Sequence, residues 1–268
     1  ASRLIEDGTT VGVGTGSPCA AAMLAQLTGA PSLFIVFEAG GCGPELPAMP
    51  ISVGDSRTYH RATMATSMID IFEMCQRGLI DYAFLGGGQI DSRGNLNSTC
   101  IGDFDRPRVR FPGSGGGNDF ASLCWRTMVM TEHDPRRFVE SLDFRTSPGF
   151  LEGAGSREAA GLPPDTGPYR VITNLCVMGY SEQDRSMEVI SLHPRVSMDD
   201  VQENTGFAIG MVGEGGETGR RDFVDGLEAS EEAGAGLGRR AHKPAAHKRR
   251  FGKDLGVVPQ PGAHQADL

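Results

Sequence analysis

Leu33-Phe34-Ile35-Val36-Phe37-Glu38 runs directly into Ala39-Gly40-Gly41-Cys42-Gly43-Pro44. The first five residues are all apolar and mostly β-branched or aromatic, which reads as a buried strand. The strand delivers a carboxylate into a turn dense with glycine, where the backbone can bend sharply and leave the acid little covered. Upstream, Thr9-Thr10-Val11-Gly12-Val13-Gly14 reads as another short buried strand. The turn Thr15-Gly16-Ser17-Pro18 follows it, and then a helix from Cys19 through Leu27, with Ser17 as N-cap and Pro18 at the first helical position. Strand, helix and strand in that order open a parallel α/β sheet, so the fold expected is an open, mostly parallel sheet flanked by helices.

Downstream, apolar residues at Met64, Met68, Ile69, Ile71, Phe72, Cys75 and Leu79 predict one amphipathic helix over 64–80. Tyr82-Ala83-Phe84-Leu85 is the next strand, and Gln89 to Asn97 forms a polar hairpin turning at Arg93-Gly94-Asn95. Further strands are expected at 123–130, 169–178 and 187–192, the last two paired. A short helix begins at Ser197-Met198-Asp199-Asp200 with a capping-box pattern and ends near Gly206. Past Phe207 the chain turns to Gly, Glu and Arg with no apolar periodicity. One folded domain is therefore expected over 1–207, and a disordered or aberrant tail over 208–268.

At 268 residues there is room for a sizeable core, while 38 glycines and 39% hydrophobic residues fit a folded body plus an unstructured segment. A net charge of -9 argues against general nucleic-acid binding despite the basic cluster Arg239 to Arg250. Six cysteines, at 19, 42, 75, 100, 124 and 176, form no C-x-x-C pair and read as reduced, buried, cytosolic thiols. No signal peptide and no apolar run of spanning length is visible, so a cytoplasmic protein free of the membrane is expected. The chain opens at Ala1 without an initiator methionine, directly in helix-like sequence, as a fragment would.

Two site readings compete. Gly12-Val13-Gly14-Thr15-Gly16-Ser17 follows a strand and opens a helix, and Glu38 ends the second strand where a dinucleotide-binding module carries its ribose acid. Yet the third fingerprint glycine falls at Ser17, Pro18 follows at once, and the glycines around Cys42 are left unexplained. The alternative is acyl transfer with Glu38 as a carboxylate nucleophile. A second glycine run, Gly113-Ser114-Gly115-Gly116-Gly117-Asn118, then supplies main-chain N–H groups for the oxyanion. His60, His133 and His193 stand apart and read as structural, so no metal site is expected. Cys42 has no basic neighbour to activate it and reads as a small residue lining the turn. Arg136-Arg137 reads as a solvated helix start rather than a phosphate clamp.

From about Leu4 to Phe207 the chain resembles the beta chains of family I CoA-transferases of the glutaconate type. The likeness is carried by Val13-Gly14-Thr15-Gly16-Ser17-Pro18, Ile35-Val36-Phe37-Glu38-Ala39-Gly40, Ser52-Val53-Gly54-Asp55 and Leu85-Gly86-Gly87-Gly88-Gln89-Ile90-Asp91. It continues in Gly94-Asn95-Leu96-Asn97-Ser98-Thr99, Arg110-Phe111-Pro112-Gly113-Ser114-Gly115-Gly116, Thr146-Ser147-Pro148-Gly149-Phe150 and Glu203-Asn204-Thr205-Gly206-Phe207. The resemblance implies Glu38 as nucleophile, Gly115 as the oxyanion-hole amide, and Gly40, Gly41, Gly113, Gly116 and Asn118 against bound coenzyme A. It implies an alpha-subunit partner in a hetero-oligomer, acyl-CoA and a short carboxylic or dicarboxylic acid as substrates, and no metal or redox cofactor. Two departures stand out. Ala39 follows the glutamate where Ser or Asn is usual, and the tail resembles a frame-shifted or chimeric terminus. Rival expectations are an acyl-CoA hydrolase of the steroid ring-opening type and a non-catalytic nucleotide-binding module.

Overall fold

The structure, a computed structural model, describes residues 1–212. Ten strands form one mixed sheet: β1 (Thr10–Gly12), β2 (Phe34–Val36), β3 (Gly41–Cys42), β4 (Met64–Ala65), β5 (Tyr82–Leu85), β6 (Arg126–Met130), β7 (Gly167–Ile172), β8 (Cys176–Tyr180), β9 (Met187–Leu192) and β10 (Gly210–Met211). Their order across the sheet is β10-β9-β8-β7-β6-β5-β1-β2-β3-β4. The central run from β7 to β2 is parallel throughout. Antiparallel pairs flank it, β2 with β3 and β3 with β4 on one side, β7 with β8 and β8 with β9 on the other. The helices are α1 (Ser17–Thr28), α2 (Met68–Gln76), α3 (Gly117–Leu123), α4 (Ser156–Ala159) and α5 (Met198–Glu203). Among the described residues no helix is long and apolar enough to cross a membrane.

Side-chain alternation along the strands divides the core into two layers. Val11, Ile35, Phe37, Tyr82, Phe84 and Met128 pack with the small residues Cys19, Ala21, Ala22 and Ala25 of α1. Val36, Ala83, Leu85 and Val129 face the other way, onto Ile71 and Cys75 of α2 and Phe120 and Ala121 of α3. Each layer buries large side chains such as Ile35, Phe37 and Tyr82 on one face and Ile71, Ile80 and Phe138 on the other. At about 1.5–3 kcal/mol per fully buried large apolar side chain, this two-sided burial is the main force holding the parallel strands flat between helices.

Several elements differ from the sequence expectation. The helix expected over 64–80 is shorter: Met64–Ala65 is edge strand β4, and α2 starts after Ser67, whose hydroxyl accepts from the Asp70 N–H while the Asp70 carboxylate accepts from the Ser67 N–H. The strand expected over 169–178 is a hairpin, β7 and β8 turning at Thr173, where the Thr173 hydroxyl accepts from the Leu175 and Cys176 N–H groups. Arg126–Met130 is strand, but Leu123 closes α3, a helix the sequence did not signal. Helix α1 is capped at Gly16, with Ser17 and Pro18 already inside its first turn. Arg136 and Arg137 lie in a turn, not a helix start, and both pair with Asp134. The helix at Ser197 and its capping box are as expected. Folded chain runs past Phe207: Ile209 is buried and Gly210–Met211 pairs with β9. The rest of the expected tail, 213–268, lies outside the described residues.

Candidate active site

The parity of β2 decides where Glu38 points. Ile35 and Phe37 belong to the layer of α1, Val36 to the opposite layer. Glu38, in step with Val36, therefore projects to the side of α2 and α3. There its Oε2 accepts a hydrogen bond of 2.9 Å from the Gly116 N–H. A Cβ on Gly116 would lie 2.4 Å from that oxygen and 2.7 Å from the Phe72 ring, so only glycine lets the carboxylate seat against the backbone. The Gly115 main chain lies alongside, its position for a Cβ being 3.5 Å from Glu38 Oε1. The acid and the second glycine run, far apart in sequence, thus meet, although the amide that holds the carboxylate is that of Gly116 rather than Gly115.

Glu38 opens into a cavity of about 170 Å³ at the C-terminal ends of β1, β2 and β5. Strand β1 leads to β2 on one side, whereas β5 joins its other edge, so this cavity sits where the sheet reverses its winding direction. Crevices at such reversals are where open α/β sheets place ligands. Val13, Gly14, Leu85, Leu96 and Phe120 make its apolar wall, and Ser98, Ser114 and Ser147 its hydroxyl-bearing rim. Phe72 and Phe120 stack edge to face at 5.6 Å beneath the glycine run. Gly113 lines the cavity and donates to the Ser98 carbonyl at 2.9 Å, which fixes the run across the rim.

Other expected site residues sit elsewhere. Gly40 and Gly41 are buried in the turn and do not line the cavity. A Cβ on Gly40 would meet the Thr66 carbonyl oxygen at 1.8 Å, and one on Gly41 the Thr58 carbonyl oxygen at 2.1 Å, so tight folding of the chain on itself accounts for both. The Tyr59 hydroxyl closes the same turn by donating to the Ala39 carbonyl. The Asn118 side chain donates to the Thr146 carbonyl at 2.7 Å, tying α3 to the loop that carries Ser147. Cys42 is fully buried in β3 instead of lining the site, and burial pushes its thiol pKa up. All six cysteines are free and buried. In the broken dinucleotide motif, Gly12 is covered by the Phe120 ring, and α1 lies in the layer opposite Glu38.

Sequence reasoning missed the three serines and Arg157. The serines arrive from loops 50 to 110 residues away and only their block positions, Asn97-Ser98-Thr99 and Thr146-Ser147-Pro148, mark them. Arg157 is almost wholly buried, and burial lowers its pKa to about 10, so it remains charged at neutral pH. It donates to the carbonyls of Gly149 (2.8 Å), Ala121 (3.0 Å) and Ser122 (3.2 Å) and to the Thr166 hydroxyl (3.0 Å). One guanidinium therefore clamps the C-terminal end of α3 to the loop after Ser147, bracing both walls of the cavity. A larger cavity of about 300 Å³ opens at the opposite, N-terminal ends of β6 and β7, among Trp125, Arg126 and Tyr169, away from Glu38. Among the described residues no group of three or more His, Cys, Asp or Glu side chains is arranged to hold a metal ion.

This geometry can be set against known proteins. The sequence pattern of the family described as Coenzyme A transferase matches residues 1–204. The chain is 36% identical over 255 residues to the beta chain of the 3-oxoadipate CoA-transferase of Pseudomonas knackmussii, covering 95% of each. That match necessarily extends past residue 212. It is 39% identical over 213 residues to the corresponding chain of the glutaconate CoA-transferase of Acidaminococcus fermentans, covering 77% of this chain and 79% of the relative. The crystal structure of glutaconate coenzyme A-transferase from Acidaminococcus fermentans superimposes with a TM-score of 0.74 at 34% identity, over 83% of this chain and 89% of that one.

Proposed function

This chain belongs to the coenzyme A transferase family, and on that premise we propose that it moves CoA from an acyl-CoA to a short organic acid through a thioester on Glu38. The observation that carries the reading is the Glu38 carboxylate, seated in a largely apolar cavity with one oxygen on the Gly116 N–H. One carboxylate oxygen attacks the thioester carbonyl carbon, the C–S bond breaks, and CoA leaves as thiolate with a mixed anhydride left on Glu38. The thiolate then attacks the glutamyl carbonyl carbon, releasing the first acid as carboxylate and leaving a glutamyl-CoA thioester. The incoming acid reverses both steps, so no proton or electron is gained or lost overall. Each step passes through a tetrahedral oxyanion beside the Gly115–Gly116 backbone, where one good donor is worth roughly 2.7–4 kcal/mol. The apolar wall limits water, which would otherwise hydrolyse the anhydride.

The cavity also speaks to substrate and partner. No lysine, arginine or histidine of the described residues lines it. A second carboxylate on the substrate acid would therefore need its counter-charge from another chain. That supports a hetero-oligomer in which an alpha-type chain completes the acid-binding half of the site. The relatives named above are themselves one kind of chain of two-component enzymes, which fits this division.

The test is acyl exchange by the assembled enzyme. Glu38→Ala is expected to lower exchange by roughly 10⁴-fold or more, as loss of a covalent nucleophile does, with circular dichroism unchanged. Borohydride after acyl-CoA should modify the wild-type peptide that contains Glu38, identifiable by mass. An active Ala variant, or an unmodified peptide, sinks the reading. Product formed from water alone, without an acid acceptor, would make the chain part of an acyl-CoA hydrolase instead.

A further inference from the structure

A two-stranded ribbon, Cys100–Ile101 paired with Val109–Arg110, stands apart from the main sheet and projects from the rim of the Glu38 cavity. The Phe111 N–H donates to the Thr99 carbonyl and the Gly113 N–H to the Ser98 carbonyl, both at 2.9 Å, so the ribbon runs without a break into cavity-lining backbone. Its tip carries Phe104, 52% exposed, and the exposed arginines 106, 108 and 110. In a chain of net charge -9 these cations call for a reason. None of the three forms an ion pair with a described residue.

The neighbouring acids are engaged by other donors. Asp103 accepts from the Asp105 and Arg106 N–H groups. Asp143 accepts from the Gly102 N–H and the Gln89 amide. Asp105 is the remaining exposed carboxylate on the loop. Arg110 serves as a prop, donating to the Phe104 carbonyl at 2.7 Å with its guanidinium 5.0 Å from the Phe104 ring centre, while Phe104 stacks on Phe144 at 5.3 Å. Arg106 and Arg108 are left with their guanidinium donors facing solvent.

We propose that this ribbon binds the nucleotide half of coenzyme A, with Arg106 and Arg108 on its phosphates and the open face of Phe104 against its adenine. The proposal rests on the CoA-transferase reading of the Glu38 site. A planar fork of N–H donors suits phosphate oxygens, and an aromatic face suits a nucleobase. Gly113 is five residues from Arg108, at most about 17 Å of extended chain, a gap for the pantetheine arm to bridge. The thioester then reaches Glu38 while the phosphates stay in water, where the desolvation cost of holding them is small.

Binding is measured by titration calorimetry, with full-length chain assembled with its partner subunit. The probes are CoA and pantetheine, which has the same thiol without the nucleotide. Arg106→Gln with Arg108→Gln is expected to weaken CoA by about tenfold or more, the scale of one or two charge-assisted hydrogen bonds, and to leave pantetheine unchanged. Wild-type affinity for CoA should also fall with added salt more steeply than that of the variant. Unchanged CoA affinity overturns the proposal, as does equal weakening of both probes. Dissociation of the variant complex on size exclusion also overturns it, since the ribbon would then be a contact between subunits. These readouts need no turnover, so an enzyme that binds CoA through the ribbon but fails the borohydride test would sink the Glu38 mechanism and leave this site standing.

Discussion

At the scale of single residues, the contact between Glu38 and Gly116 makes the sharpest claim. A methyl group on Gly116 would fall inside contact distance of both the carboxylate and Phe72, so Gly116→Ala must push the acid off its seat. We expect kcat for exchange to drop about 10²–10³-fold, the usual effect of losing an oxyanion donor, with little change in KM. Steady-state kinetics beside Glu38→Ala would check it. His133 gives a second prediction of a different kind. Its ring is stacked 4.0 Å from Phe138 and bonds Thr173 and Thr205, and burial lowers its pKa to about 4. Between about pH 6.5 and 4 the unfolded chain takes up a proton that the folded chain refuses, so stability falls as pH falls through that window. Moving from pH 6.5 to 5 should cost about 2 kcal/mol in urea unfolding, and His133→Gln should lack that part of the slope. Glu38 was legible because a lone acid ends an apolar strand. The rim serines were not, since hydroxyls occur in many loops and nothing local says which of them converge.

At the scale of elements, local rules worked where the signal lies within one turn of chain. Ser197 with Asp200 announces a helix start, and the structure has the reciprocal hydrogen bonds. Ser67 with Asp70 makes the same box, but Met64 and Met68 share helical spacing across it and hide the strand before it. Ser67→Ala should cost about 1 kcal/mol in thermal or urea unfolding, by loss of one cap. Likewise the apolar run from Tyr169 to Met178 conceals a hairpin whose turn depends on the Thr173 hydroxyl. Arg157 works between elements. Replacing it with Ala leaves carbonyls of α3 and of the loop at Gly149 without donors in a buried place, and we expect a loss of about 3–5 kcal/mol. Arg157→Lys should recover only part, because an ammonium cannot reach all four acceptors at once.

For the molecule as a whole, strand–helix–strand order was enough to give the fold class, while the neighbour of each strand was not. That β5 lies against β1 and not β2 depends on pairings between residues about 70 positions apart, such as Val11 with Tyr82. Domain extent was misjudged for a related reason. Gly210–Met211 looks like linker in sequence and becomes a strand only because β9 offers a free edge, with Ile209 buried beside it. Chains ending at residue 212 and at residue 207 should therefore differ in stability by roughly 2–3 kcal/mol, the burial of one isoleucine and a short strand pairing, measurable by urea unfolding.

The N–H of Gly116 cannot serve two anions at once. At rest it is engaged by the enzyme's own side chain, so any charged mimic of the tetrahedral intermediate must first evict Glu38 from the donor it wants. Such inhibitors should look weaker against the intact protein than the donor deserves, and Glu38→Ala, though inactive, should grip them more tightly. In this fold the resting nucleophile acts as a competing ligand for its own catalytic pocket.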